Sequence, residues 1–260
     1  MLLATLVFFV SGLALGSFLN EQLLRFAPKP SFRLSWRSLC DLCGKKLPWW
    51  QLVPLLSQIM LKGVCHFCQR KIPRTHFWLE LGVGLSTALL FWRFGSLSFL
   101  LQDNFIFLAA LLFSLVLWFV ALYDWRYLIL PDGLMLPAIV LAFLGRTYWS
   151  GWENWLTILW QGLIPAAFFA LLVLGSKGKW MGGGDIRLAA LIGFLLPWRL
   201  ALIAFIGSFF LGAIIGLSLI AAKKATRKTE LPYAPLLAFT TLLAALWGDQ
   251  ILAWYLGFFF

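Results

Sequence analysis

The sequence predicts an all-α fold, a polytopic membrane bundle of about eight spanning helices carrying one small polar insert. Three observations lead there. The 260-residue chain is 62% hydrophobic and only 12% charged, against roughly 45–50% and 25% in an ordinary soluble domain. Its apolar residues gather into eight runs, most of them near the ~20 residues that a spanning helix needs. All four cysteines fall in a single polar segment between the first and second runs.

The first run, residues 2–20, opens MLLATLVFFV with no Lys or Arg ahead of it. A secretory signal would carry a basic leading region, so this run is expected to be a retained anchor. The remaining runs are 77–94, 103–122, 133–149, 155–175, 185–197, 199–222 and 234–256. The run at 185–197 is short and reads as a half-span continuing a glycine loop. Eight crossings return the chain to its starting side. One set of loops (21–76, 123–132, 176–187, 223–233) holds eighteen Lys and Arg, and the other set holds Arg93, Arg146 and Arg199. The positive-inside rule makes the first set cytoplasmic and puts both termini outside. The net charge of +11 is then mainly an orientation signal, and no nucleic-acid partner is expected. The chain divides into a first span (1–20), a cytoplasmic insert (21–76) and a membrane domain (77–260).

The insert contains CDLCGKKLPWW at 40–50 and CHFCQRKIPRT at 65–75. Laying Cys40 on Cys65 superposes Cys43 on Cys68, Lys46 on Lys71 and Pro48 on Pro73, a short internal repeat. Each Cys-x-x-Cys turn presents two thiolates, and two turns complete a tetrahedral sulfur site suited to structural zinc. A reducing compartment disfavours disulfides. The alternatives are inert cysteines or a redox pair, the latter expected beside a βαβ pattern. Cys40, Cys43, Cys65 and Cys68 are therefore the expected ligands, with His66 a solvated bystander. Four thiolates leave no open position for water, so the metal is expected to hold the insert together and take no part in chemistry.

Only ten carboxylates exist. Asp103, Glu153 and Asp249 go with outer segments, and Glu21, Asp41 and Glu230 with solvated cytoplasmic ones. Glu80, Asp124, Asp132 and Asp185 remain, all at the cytoplasmic membrane boundary. Asp124 closes the third run in FVALYDWRYLILPDG, and Asp185 opens the sixth in KWMGGGDIRLAAL. Two spans separate them, so parity returns both to one face. Facing carboxylates share a proton near neutrality. The ionised member can activate water while the protonated one polarises a carbonyl and then protonates the leaving amine. With His66 and His76 both in the insert, no Ser-His-Asp arrangement is expected at the membrane. Gly182, Gly183 and Gly184 leave room for a substrate strand and permit φ > 0. They also put Asp185 at a helix N-terminus, where the dipole favours a carboxylate. Asp185 as a plain capping residue is the alternative.

Taken in order, these motifs resemble the type IV prepilin peptidases, aspartic intramembrane enzymes with a G-x-G-D motif. GSFLN at 16–20 resembles the family's first-span ending. The knuckles bracketing WWQLVPLLSQIMLKG are similar to its insert. Asp124 with LPD at 130–132, and MGGGDIRLAAL at 181–191, resemble its two catalytic motifs. LPYAPLLAF at 231–239 is similar to a late Pro-Phe-Gly-Pro segment, with Tyr233-Ala234 replacing Phe-Gly. Trp180 stands where a glycine is frequent. The resemblance implies that Asp124 and Asp185 are catalytic, that the knuckles bind zinc, and that a basic leader is cut from prepilin-like or pseudopilin precursors. Many members also methylate the new N-terminus using S-adenosylmethionine. The sequence, lacking a G-x-G-x-x-G after a strand, neither supports nor excludes that step. In its compactness the chain resembles competence-type members.

Two rivals remain at this stage. A non-enzymatic zinc-ribbon scaffold of an assembly machine needs the cysteines and not the aspartates. A transporter relay needs a carboxylate nearer the bilayer midplane. Glu80 is read as an interfacial helix-start residue. The parity argument has a direct check in a cysteine-free variant carrying single new cysteines. Position 178 is expected to label with impermeant thiol reagent from the cytoplasmic side and position 150 from outside. Labelling of both from one side would separate the two aspartates.

Overall fold

Every long apolar run becomes a helix because, without water, only intrasegment hydrogen bonds satisfy the backbone. The structure is a computed structural model that describes residues 1–26, 43–46, 48, 51, 53–61, 63–71, 73, 75–96, 101–224, 226, 229 and 231–258. Its helices are α1 (Leu2–Arg25), α2 (Leu56–Met60), α3 (Thr75–Phe94), α4 (Leu101–Tyr127), α5 (Asp132–Ser150), α6 (Trp155–Gly175), α7 (Gly183–Leu195), α8 (Trp198–Ala221) and α9 (Ala234–Leu256). No strand occurs among the described residues. The chain forms two compact units, Met1–Phe119 and Val120–Phe260, with α4 running through the boundary.

Among the described residues, six helical stretches are long and apolar enough to span a membrane, where the sequence suggests eight. The chain is a multi-pass membrane protein. The two shortfalls have physical causes. Helix α7 has 13 residues, about 20 Å at 1.5 Å per residue, against a hydrocarbon core of ~30 Å. Gly182 caps its start, and Leu196–Pro197 turns the chain out of it. Helix α3 has 20 residues, but His76, Glu80, Ser86 and Thr87 lower its hydropathy, and all four are used within the first unit.

In that unit α1 and α3 approach almost backbone to backbone. A Cβ added to Gly12 would lie 2.8 Å from the Cα of Gly84, and one on Gly16 would lie 2.8 Å from the Cα of Glu80. The Gly12-x-x-x-Gly16 spacing is the small-residue stripe that permits such packing between membrane helices. Phe8, Phe91 and Phe107, from α1, α3 and α4, close one end with ring centroids 4.2–5.4 Å apart. The Trp118 indole lies where Gly82 has no side chain, and its Nε1 donates to Ser86 Oγ at 3.1 Å.

The second unit is built around α7. Leu188, Ala189, Leu191 and Ile192 are fully buried, among α5 and α6 on one side and the α8–α9 pair on the other. The α6–α7 crossing is again made by glycines: a Cβ on Gly193 would meet the Gln161 carbonyl and lie 2.8 Å from the Gly162 Cα. Outward-facing Leu141, Trp160, Leu171, Phe210 and Leu217 are exposed, as side chains solvated by lipid would be. Gly193→Ala is expected to force the helices apart and cost about 1–3 kcal/mol, the usual penalty of overpacking. Thermal unfolding in detergent checks this, against Gly145→Ala, whose Cβ would meet nothing within 4 Å.

Candidate active site

Asp124 lies in the last turn of α4 and is buried. Its Oδ2 accepts the Ala234 backbone N–H at 3.1 Å. Ala234 is the first residue of α9 and is followed by proline, so this N–H belongs to a helix start and has no intrahelical acceptor. Asp124 thus joins the end of one helix to the beginning of another 110 residues later.

Asp185 lies in the first turn of α7 and is equally buried. Its Oδ2 accepts the Gly182 N–H at 3.1 Å, while the Asp185 N–H donates to the Gly182 carbonyl at 3.1 Å. Both aspartates therefore sit at positive helix ends. They are close enough for the Asp124 charge to act on Asp185. Among the described residues, Oδ1 of each carboxylate accepts no hydrogen bond. Each carboxylate thus keeps one oxygen to present to a ligand.

The three glycines have separate functions. A Cβ on Gly184 would lie 2.9 Å from Leu130 Cγ, so Gly184 lets the segment ahead of α5 close on the start of α7. Gly182 supplies the N–H for Asp185. Gly183 faces open space, with nothing within 4 Å of an added Cβ. The expectation of positive φ is not realised, since none of the three is among the positive-φ glycines. Their small size is what the fold uses. Asp132, at the start of α5, forms an ion pair with Arg187 of α7. At the other end of α7, Arg146 Nη1 donates to the Leu195 carbonyl at 2.9 Å, answering the negative end of the helix.

Tyr233, immediately ahead of α9, was legible in the sequence only as a departure from a motif. Its hydroxyl lies 2.6 Å from Ser208 Oγ of α8, and its ring packs against Phe169 and Phe209 with centroids 5.9 and 5.6 Å away. Burial pushes the phenol above its ordinary range; the Ser208 hydrogen bond opposes this and the nearby Asp185 charge adds to it. Tyr233 is therefore a neutral hydroxyl held by Ser208. The available signal was its place before Ala-Pro at a helix start, where backbone donors are exposed.

In the other unit the Sγ atoms of Cys43, Cys65 and Cys68 all lie within 4.8 Å of one another, a grouping able to hold a metal ion. Cys40 lies outside the described residues. The second knuckle is tied by Cys65 N–H to the Arg70 carbonyl and Gln69 N–H to the Cys65 carbonyl, each at 2.9 Å. His66 stands edge-on to Phe67. Glu80 is buried in α3, and its Oε2 accepts Leu55 N–H at 2.9 Å and Gln58 Nε2 at 3.3 Å. Glu80 thus fastens the insert to α3, a larger structural task than that of a helix-start residue.

Comparison with known proteins accounts for both halves. The bacterial peptidase A24 N-terminal domain matches residues 10–94, and the type IV leader peptidase family matches residues 111–217. A prepilin leader peptidase/N-methyltransferase of Bacillus subtilis is 31% identical, across 96% of this chain and 97% of that protein. The chain belongs to the type IV leader peptidase family. Proteins of the same name from Stutzerimonas stutzeri and Pseudomonas aeruginosa are each 30% identical, over 96% and 95% of this chain and 92% and 91% of theirs. No solved structure matches it. Asp124 and Asp185 of this leader peptidase family member both fall in the family-defining segment, and the cysteine cluster falls in the N-terminal domain.

Proposed function

We propose that this protein is a membrane aspartic endopeptidase that removes the basic leader from prepilin-like or pseudopilin precursors at the cytoplasmic face and N-methylates the new terminus. The observation that carries the peptidase reading is the convergence of Asp124 and Asp185. They come from helices separated by two whole spans, and each has one oxygen fixed by a backbone N–H and the other unbonded among the described residues. An ionised carboxylate takes a proton from water as its oxygen adds to the scissile carbonyl, while the protonated partner gives its proton to the carbonyl oxygen. Gly183, with open space before it, lets an extended substrate backbone come near. The excess of Lys and Arg in one set of loops supports a cytoplasmic position for this site, where a leader preceding a hydrophobic helix would wait.

Asp124→Asn and Asp185→Asn are each expected to lower the cleavage rate by roughly 10²–10⁴-fold, the usual contribution of a general acid or base. The double variant should lose little more, since the pair acts as a unit. Cleavage of a prepilin in vesicles checks this, with Asp132→Asn and Glu80→Gln as milder controls. A folded Asp185→Asn protein that cleaves at a near-normal rate would falsify the reading and favour the scaffold alternative.

The methylation reading is supported by the names of the relatives. S-adenosylmethionine would supply the methyl group, but the described residues include no glycine-rich strand-to-helix turn for it. No residue is assigned to the cofactor.

Cys40, Cys43, Cys65 and Cys68 are proposed to hold one structural zinc. The three described sulfurs fit one tetrahedral ion with Zn–S near ~2.3 Å. When bound, the metal would fix the knuckles, with no position left for water. Purified protein is expected to carry one zinc per chain. Cys65→Ser should lose it and make the insert protease-sensitive, with a smaller effect on turnover per folded molecule. Metal analysis and limited proteolysis check both.

A further inference from the structure

Asp124 closes α4 and Asp185 opens α7, and among the described residues no hydrogen bond joins the two carboxylates. Something else must fix their spacing. The four-residue connector from α4 to α5, residues 128–131, touches the backbone at or beside both aspartates.

At its start, Leu128 takes a left-handed conformation (φ 53°), and its N–H donates to the Asp124 carbonyl at 2.8 Å. This is the αL ending of a helix, made here without glycine, and it ties the connector to the backbone of Asp124 itself. Two residues on, the Leu130 side chain covers Gly184, the residue before Asp185. A Cβ on Gly184 would lie 2.9 Å from Leu130 Cγ and Cδ1, and 3.0 Å from Leu130 Cβ. Two residues further, Asp132 forms its ion pair with Arg187. In extended chain, side chains two apart point the same way, so Leu130 and Asp132 reach α7 together. Pro131 between them is extended (φ −75°, ψ 111°). Its ring fixes φ and disfavours a helical turn at Leu130. The Pro131 carbonyl then accepts the Leu134 and Met135 N–H groups at 3.1 Å each, which anchors the connector on α5, where Met135 is fully buried. The segment is stiff and is held at both ends.

The ion pair has little other use. Arg187 lies just past the first turn of α7, at the positive end, where the dipole gives a cation no benefit. The Asp132 side chain is 62% exposed, and pairs so exposed add little to stability. Its effect is geometric: it draws the start of α5 onto α7, and Leu130 comes down on Gly184 with it.

We propose that Leu130-Pro131-Asp132 is a strap that sets the spacing of the two catalytic carboxylates, with Leu130, Asp132, Gly184 and Arg187 as its positioning residues. The proposal rests on the aspartic peptidase reading and adds what holds the pair in register. The neighbouring glycines then differ in kind, since Gly183 faces open space and Gly184 faces the strap. The strap acts through the aspartates, so loosening it slows the chemical step and leaves substrate binding alone.

The test is cleavage of a synthetic prepilin peptide by the full chain in vesicles, with kcat and KM read separately and thermal unfolding in detergent beside them. Carbon atoms rest about 3.5–4.0 Å apart, so Gly184→Ala must push Leu130 back by about 0.5–1 Å. A displacement of that size can cost ~10²-fold in rate. A loss of that order in kcat is expected, with KM within about twofold of wild type. Adding Leu130→Ala removes the obstructing Cγ and Cδ1, and should recover about tenfold or more of the lost kcat, as coupled neighbours do. Asp132→Asn is expected to lower kcat by about 3–10-fold with little change in unfolding temperature. Asp132→Glu keeps the charge and should lose less. Gly133→Ala, whose Cβ meets nothing within 4 Å, should match wild type in every reading. A Gly184→Ala protein whose KM rises at unchanged kcat would assign Gly184 to substrate admission and overturn the strap. Failure of Leu130→Ala to restore any kcat would overturn it too. If Gly184→Ala does not assemble, Asp132→Asn decides, and a wild-type kcat there overturns the strap. In each of these cases cleavage by the wild-type chain upholds the peptidase reading, whereas absence of that cleavage overturns both.

Discussion

A helix too short to cross a bilayer must have both of its ends satisfied inside the protein, and the second unit is arranged around that requirement. Helix α7 meets it with Gly182 and Asp185 at one end and Arg146 at the other. Its glycine face fits against α6, and Gly184 admits Leu130 from the loop that follows Asp124. Asp185 opens α7, Asp124 closes α4 and its carboxylate holds the N–H that opens α9, so three helix ends meet around the two carboxylates.

Much of this could be read from composition and spacing. The apolar runs mark the helices because hydrocarbon leaves the backbone no other partner. The scarcity of carboxylates made Asp124 and Asp185 conspicuous, and parity gave a reason to pair them. The repeated Cys-x-x-Cys turns anticipated the sulfur cluster of Cys43, Cys65 and Cys68. What the sequence could not show depends on contacts between distant segments. The Ala234 N–H is invisible in a string of letters, and Ser208 is one more small residue in an apolar helix. Arg146 reads as an outer-loop charge until the Leu195 carbonyl is seen beside it. Glu80 was read by its place at a helix start, whereas its partners Leu55 and Gln58 lie across the insert. The glycine triplet suggested unusual backbone angles, and the structure uses it for space.

The two units solve different problems with the same economy of polar groups. In the first, Glu80 gathers donors from Leu55 and Gln58, and thiols gather where a metal can bind. That part is organised to hold an insert in place. In the second, each aspartate has one oxygen bound to backbone and one oxygen unbonded among the described residues. A buried carboxylate left under-bonded costs stability, and family membership gives a reason for the fold to accept that cost.

The bond from Ala234 to Asp124 makes this side chain a structural joint as well as a chemical group. An alanine at position 124 would remove the carboxylate and also orphan a buried N–H at the start of α9, so an inactive alanine variant would report two losses at once. An asparagine keeps an acceptor oxygen for Ala234 and removes only the ability to ionise. Under the proposed catalytic role, genetic screens that score this position by alanine or by bulky replacement will count misassembled and catalytically silent molecules in one class. The distinction between them lies in whether α9 still has its anchor.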